Sequence, residues 1–222
     1  MHFENIWGGL RSNYSQYIIS MNNATLDGAS IEGPRVGMCA ANADISNSVL
    51  DTSGHGCPSD WGFGRGMKYA TCAGSGASNG GSGGYGGIEE GAESHFESCK
   101  SHKPEPYTYG LKPNFEGSGG ASGTNGGHLG GAGGGIVRLL VLNNLSVAGS
   151  DFLANGKEGV KGESQGSGGG AGGTVNIQSR FLNGYGKVNA KGGDGSVGGG
   201  GGGAGGRLVI GFNSGFKFKA QP

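Results

Sequence analysis

The chain carries little charge and no excess of either sign: charged residues are 14% of the total, with 16 Lys and Arg against 16 Asp and Glu. A neutral surface suits neither nucleic acid, whose phosphates reward a basic one, nor an acidic lipid surface, so neither is expected as a partner. Long apolar runs are also missing. The longest, Ile136–Leu142, is interrupted by Arg138 and falls far short of the roughly 20 residues of a membrane span. The stretch after Met1, HFENIWGGLRS, lacks the charged and apolar regions of an export signal. No Gly-Lys-Ser/Thr phosphate loop occurs, and GFGRG (Gly62–Gly66) lacks the strand–turn–helix setting that gives a Gly-x-Gly-x-x-Gly fingerprint its meaning. The aspartate of GGDGS (Gly192–Ser196) sits at the wrong offset for a calcium-binding nonapeptide. No cofactor or metal is expected. Only 33% of residues are apolar, which excludes an ordinary large core. Glycine breaks every window in which a 3.6-residue period would run, so no substantial helix is expected.

What the chain has in abundance is glycine, 56 residues of 222. Glycine and proline together reach roughly 28%, the range of low-complexity chains, yet 18 aromatics and zero net charge are unlike a disordered one. The runs also recur at matched places. Residues 136–173, 174–206 and the partial unit 207–222 each open on an alternating strand; the first two continue through a polar bend and a second strand to a glycine run. Units of this length bury their faces on one another. Period two places Val175 and Ile177 on one face and Asn176 and Gln178 on the other. Leu208, Ile210 and Phe212 form a similar set, as do Val188 and Ala190, with Ile45 and Val49 as inward candidates in the first half.

Within GGSGGYGG (Gly80–Gly87) the non-glycine recurs every third residue. Polyproline II has three residues per turn, so Ser82 and Tyr85 would project along one edge and leave two edges bare for close backbone approach. The expected fold is all-β: stacked β-helix-like or sandwich-like strands joined to polyglycine II segments. Its parts are an N-terminal arm (1–16), a cysteine-bearing β and glycine-rich half (17–100), a proline-containing connector (101–116) and a glycine-rich repeat half (117–222), expected to form one continuous domain.

Four cysteines, Cys39, Cys57, Cys72 and Cys99, lie at long spacings. Zinc ligands usually pair two to four residues apart, so two disulfides are expected rather than a site shared with His55, His95 or His102. Three connectivities are open; Cys57–Cys72, which would close a short loop, is the favoured bridge. Sequons at Asn13, Asn23 and Asn144 mark glycosylation candidates and, with the cysteines, point to an extracellular location. Catalytic signals are thin. Glu89, Glu90 and Glu93 near His95 read as a solvated loop, and Asp51 as a cap of the turn before His55.

The order of an apolar strand, Asp51-Thr52-Ser53-Gly54, Gly56-Cys57, then Gly62, Gly64 and Gly66 ahead of a glycine block resembles large secreted glycine-rich cell-surface proteins of plants and protists. Tyr109-Gly110, Gly117–Gly120, Ala132–Val137 and Gly198–Ile210 continue the likeness. A weaker one is to the glycine-rich region of anaplastic-lymphoma-kinase-type receptors. The resemblance implies an exported, repetitive, non-enzymatic protein. The expected role is therefore a building unit of an extracellular coat, fibre or appendage, self-associating through glycine packing and strand edges. Trp7 in the arm is a candidate anchor. The alternative is an adhesin or receptor-type module that holds a glycan or protein on Trp61, Phe63, Tyr85 and Tyr109. Ice binding, which would want a regular Thr or Ala face, and a β-helical carbohydrate-active enzyme rank below both.

Overall fold

In the computed structural model, residues 9–11, 13–69, 71–88, 95–108, 114–123, 128–161, 165–213 and 216–220 are described. Their regular structure is almost all β-strand, with one short helix among them. In chain order the strands are β1 (Gly9–Arg11), β2 (Gln16–Ile19), β3 (Asn23–Asp27), β4 (Ser30–Glu32), β5 (Arg35–Ala40), β6 (Asn42–Ser46), β7 (Val49–Asp51), β8 (Ile136–Leu153), β9 (Thr174–Asn189), β10 (Arg207–Phe212) and β11 (Phe216–Ala220). The helix α1 (Phe96–Ser101) precedes β8.

Every pairing between these strands is parallel, and the register runs on unbroken except on β8 against β9, where it shifts between Val141 and Asn144 and between Ala148 and Ser150. Strands β2, β3 and β4 are followed by β5, β6 and β7 in the same order, one layer on, at an offset of 19 residues for β3 on β6. The long strand β8 pairs with β5, β6 and β7 along successive parts of its length, and β9 pairs with β8 from end to end. Strands β10 and β11 then lie on the two halves of β9. The result is a staircase of rungs with three columns. The first column is β2–β5–β8–β9–β10, the second β3–β6–β8–β9–β11, and the third β1–β4–β7–β8–β9.

Stacking in register puts like beside like. Ile18, Met38, Leu139, Ile177 and Ile210 form one inner file. Leu26, Ile45 and Val147 form another, and Ile31, Leu50 and Phe152 a third. These files, with Val137, Leu145 and Leu182, make the apolar core. Each fully buried Val, Leu, Ile or Phe contributes about 1.5–3 kcal/mol relative to exposure. Alternation holds at Val175 and Ile177, both buried, while the intervening Asn176 is buried too, between Arg138 and Val209. Of the inward candidates in the first half, Ile45 is buried, but Leu50 rather than Val49 takes the inner place in β7.

The corner between the second and third columns repeats. Gly28, Asn47 and Gly149, each one residue beyond a ladder position, have φ of 62°, 47° and 65°. The left-handed region is routine for glycine and tolerable for asparagine. The residue after each is small. The Ser48 hydroxyl receives the amide of Ala29, and the Ser150 hydroxyl receives the amide of Ser48, both at 3.1 Å. A hydroxyl ladder thus satisfies amides that the turn has pulled out of the sheet, as burial requires.

The glycine runs pack beside this staircase as an ordered lattice. Residues 166–173 are all buried, and their backbone groups serve neighbours in a strict rotation. The amides of Gly166, Gly169 and Gly172 donate to Gly198, Gly201 and Ala204; those of Gly168 and Ala171 to Ala121 and Ser118; those of Gly170 and Gly173 to Lys157 and Ala154. Their carbonyls accept from Gly74 and Ala77, from Gly131 and Gly134, and from Gly193. A period of three is that of polyproline II, and the segment meets six neighbouring segments through backbone-to-backbone bonds. A Cβ on Gly170 would meet the carbonyl oxygen of Ala132 at 2.1 Å, so this approach needs glycine. Ordering glycine costs roughly 0.5–1 kcal/mol per residue beyond alanine, which the closed hydrogen-bond network offsets.

Candidate functional site

Two regions bring functional groups together: the two ends of the staircase, and an aromatic surface over the glycine lattice.

At one end β2 and β3 are each paired, among the described residues, on one side only, with β5 and β6. Tyr17, Ile19 and Met21 are exposed there, Met21 at 91%. At the other end β10 and β11 have β9 as their one strand partner among the described residues, and Leu208 and Phe212 are half-exposed. In the third column β1 lies a rung ahead of β2 and β3, against β4. The Lys187–Asn189 edge of β9 has no partner beyond β8 among the described residues. Among the described residues the ends therefore carry strand edges of one polarity in the same columns with no further strand on them, the situation in which strands recruit another chain.

The exterior of the second column changes charge along the stack. Asp27, Ser46, Ala148, Tyr185 and Lys219 are successive neighbours, as are Thr25, Asp44, Ser146, Asn183 and Lys217. Asp27 accepts the Ser46 hydroxyl at 2.7 Å, and both lysines are exposed.

The aromatic surface centres on Phe63, whose ring lies 6.0 Å from Tyr107 and 5.9 Å from Phe115. Phe63 is 84% and Trp61 69% exposed. Tyr107 is held by its hydroxyl, which donates to the carbonyl of Glu116 and accepts from Ser118; burial pushes this hydroxyl up to about 12. A cleft of about 710 Å³ adjoins the cluster, lined by Asp60, Phe63, Arg65, Lys68, His102 and Glu105 among others. Lys68 pairs with Asp60 at 3.1 Å. Burial alone would raise the Asp60 carboxyl, but bonds from Ser122 and Lys68 outweigh it and hold the group below its ordinary value. Tyr85 stands apart, edge-on to Phe96 at 6.1 Å. Along Gly80–Gly87, Ser82 and Tyr85 are exposed while Gly83 and Gly86 are buried, the three-residue spacing expected of this run.

The cysteines depart from expectation. The bridge is Cys72–Cys99, with Cα atoms 5.6 Å apart, and Cys39 and Cys57 are free thiols. The favoured Cys57–Cys72 bridge does not form because Cys57 is tied by its backbone to Gly117 and Gly133 in the lattice, whereas α1 carries Cys99 to Cys72. Cys39 lies exposed on β5. Burial pushes the Cys57 thiol up, and Glu116 adds to the shift.

Asn13, Asn23 and Asn144 are exposed. Two of them belong to a side-chain ladder that sequence reasoning missed. Asn42 donates to the Asn23 side-chain oxygen at 3.0 Å and accepts from the Asn144 amide group at 3.3 Å. Asn79 was also missed: it is buried and donates to the carbonyl of Gly172 at 2.6 Å while accepting from Thr108 at 2.8 Å. Asp51 caps its turn by accepting the Ser53 amide at 2.7 Å, and His55 turns away to Glu32 at 3.0 Å. Trp7, Tyr109, Glu89, Glu90 and Glu93 lie outside the described residues. Among the described residues no three His, Cys, Asp or Glu side chains are grouped to hold a metal ion, and no helix is long and apolar enough to cross a membrane. No family model, curated protein or solved structure matches the chain.

Proposed function

We propose that this protein is an extracellular structural unit, a β-helix-like stack braced by polyglycine II segments, which builds a surface coat, fibre or appendage by self-association. The observation that carries the reading is the pair of strand edges, unpaired among the described residues, of one polarity and in the same columns, at opposite ends of a single parallel stack. A unit with such ends adds head to tail, and a head-to-tail contact that does not close into a ring propagates as a filament. The Cys72–Cys99 bridge and the exposed sequon asparagines fit an oxidising, exported setting. The function asks for rigidity and repeated edges, with no turnover.

Negative-stain electron microscopy and light scattering across a concentration series test the reading. Filaments or sheets that lengthen with concentration support it, and dispersed monomers throughout overturn it.

The binding-module alternative rests on the Phe63, Tyr107 and Phe115 cluster beside the cleft. Exposed aromatic faces next to hydrogen-bonding side chains suit a glycan or a peptide. A glycan array that gives hits lost in Phe63→Ala, with no filaments at any concentration, favours that alternative.

A further inference from the structure

The two ends of the staircase differ in outline and in charge, and the differences match. The rung made by β10 and β11 occupies the first two columns and, among the described residues, leaves the Lys187–Asn189 edge open in the third. At the other end the third column starts early, with β1 projecting one rung beyond β2 and β3. A second copy stacked on β10 and β11 in continuous register would set its β2 and β3 on those strands and its β1 beside Lys187–Asn189. The inner files continue across the contact, Ile210 beside Ile18 and Phe218 beside Leu26. On the exterior the same register sets Lys219 beside Asp27 and Lys217 beside Thr25.

We infer that the assembling partner is a second copy of this chain, joined head to tail with Lys219 of one copy paired to Asp27 of the next. The inference rests on the self-association reading and adds its register. Pairing of strand edges alone tolerates slippage; a one-residue slip would turn every inner side chain outward. The step formed by β1 and the lysine–aspartate pair fix one register. Opposite charges directly across neighbouring strands stabilise pairing, and like charges there oppose it.

The test is assembly of the full chain as wild type, Lys219→Glu, Asp27→Lys and the double variant, followed by light scattering and electron microscopy. The expected result is that each single reversal raises the concentration needed for assembly by roughly fivefold to tenfold, and that the double variant returns it close to wild type. Added salt should weaken wild-type assembly, since an exposed pair is screened. Circular dichroism checks that Asp27→Lys still folds. Should it not, Lys219→Glu against the charge-preserving Lys219→Arg gives the same comparison, with the concentration needed for assembly raised only in the first. Filaments that form equally well in every variant and at every salt concentration overturn the junction while leaving self-association standing. Monomers in the wild type overturn both.

Discussion

The amide of Gly170 donates to the carbonyl of Lys157 at 2.9 Å, and the carbonyl of Gly170 accepts from Gly193 at 2.8 Å. One glycine thus bridges two segments distant in sequence, with no side chain involved. Gly170→Ala would drive a methyl group to 2.1 Å from the Ala132 oxygen, while at Gly202 nothing lies closer than 4.0 Å. Gly170→Ala should destabilise the protein by about 3 kcal/mol or more, at or beyond the upper range for overpacking. Gly202→Ala should be neutral or stabilise by about 0.4–1 kcal/mol. Urea denaturation of both variants checks the contrast. Amide exchange in 166–173 should also be among the slowest in the molecule.

Asn47 holds φ at 47° in the corner that Gly28 and Gly149 occupy in neighbouring rungs. Asn47→Ala should cost about 1 kcal/mol, because alanine is strained in this region, whereas Asn47→Gly should stay within about 0.5 kcal/mol of wild type. Midpoints of thermal unfolding distinguish the two.

Cys39 is exposed, and Cys57 is half-buried with its thiol pushed up by burial. Alkylation of the folded protein near pH 8, followed by mass spectrometry, should label Cys39 first and Cys57 much later, since the thiolate is the reactive form. Cys72 and Cys99 should be labelled only after reduction. Loss of their bridge should lower stability by about 3–4 kcal/mol on the chain-entropy account.

The Asp60 carboxyl is held below its ordinary 3.8 by Ser122 and Lys68 against the opposing effect of burial. A lowered value in the folded state means that the contribution is complete above the unfolded value and disappears as pH falls through the folded one. Between pH 5 and 7 Asp60→Asn should therefore cost about 1 kcal/mol or less, given partial exposure and solvent screening. The difference from wild type should shrink in acid below pH 3, as read by urea midpoints at several pH values.

Part of this architecture could be read from the residues alone. Alternation marked Val175 and Ile177 as inward, and spacing by three marked Ser82 and Tyr85 as outward. Both signals are local, set by backbone geometry within a few residues. The shorter repeat of the first half escaped notice because its inner files tolerate any large apolar residue: Ile18, Met38 and Leu139 occupy one level. Its corner is marked only by Gly28, Asn47 and Gly149, and residues 52–135 separate the second of these rungs from the third. Val49 was misplaced for the same reason. The left-handed Asn47 and the inward Ser48 advance the alternation, so that Leu50 comes to face the core. The disulfide had no local signal, since it depends on where a short helix delivers Cys99. The complementarity of the ends became visible only when register was known.

Among the described residues none of 52–135 belongs to the sheet, yet Ile136 resumes directly above Arg35 without a break in the ladder. The staircase behaves as a spine from which the chain can branch and return, because each rung takes its backbone bonds from the rungs directly beneath and above it, whatever length of chain joins them. Branches of very different size can then be hung between vertebrae while the pitch stays constant. A family of such units could vary its side structures freely and still interlock with its neighbours.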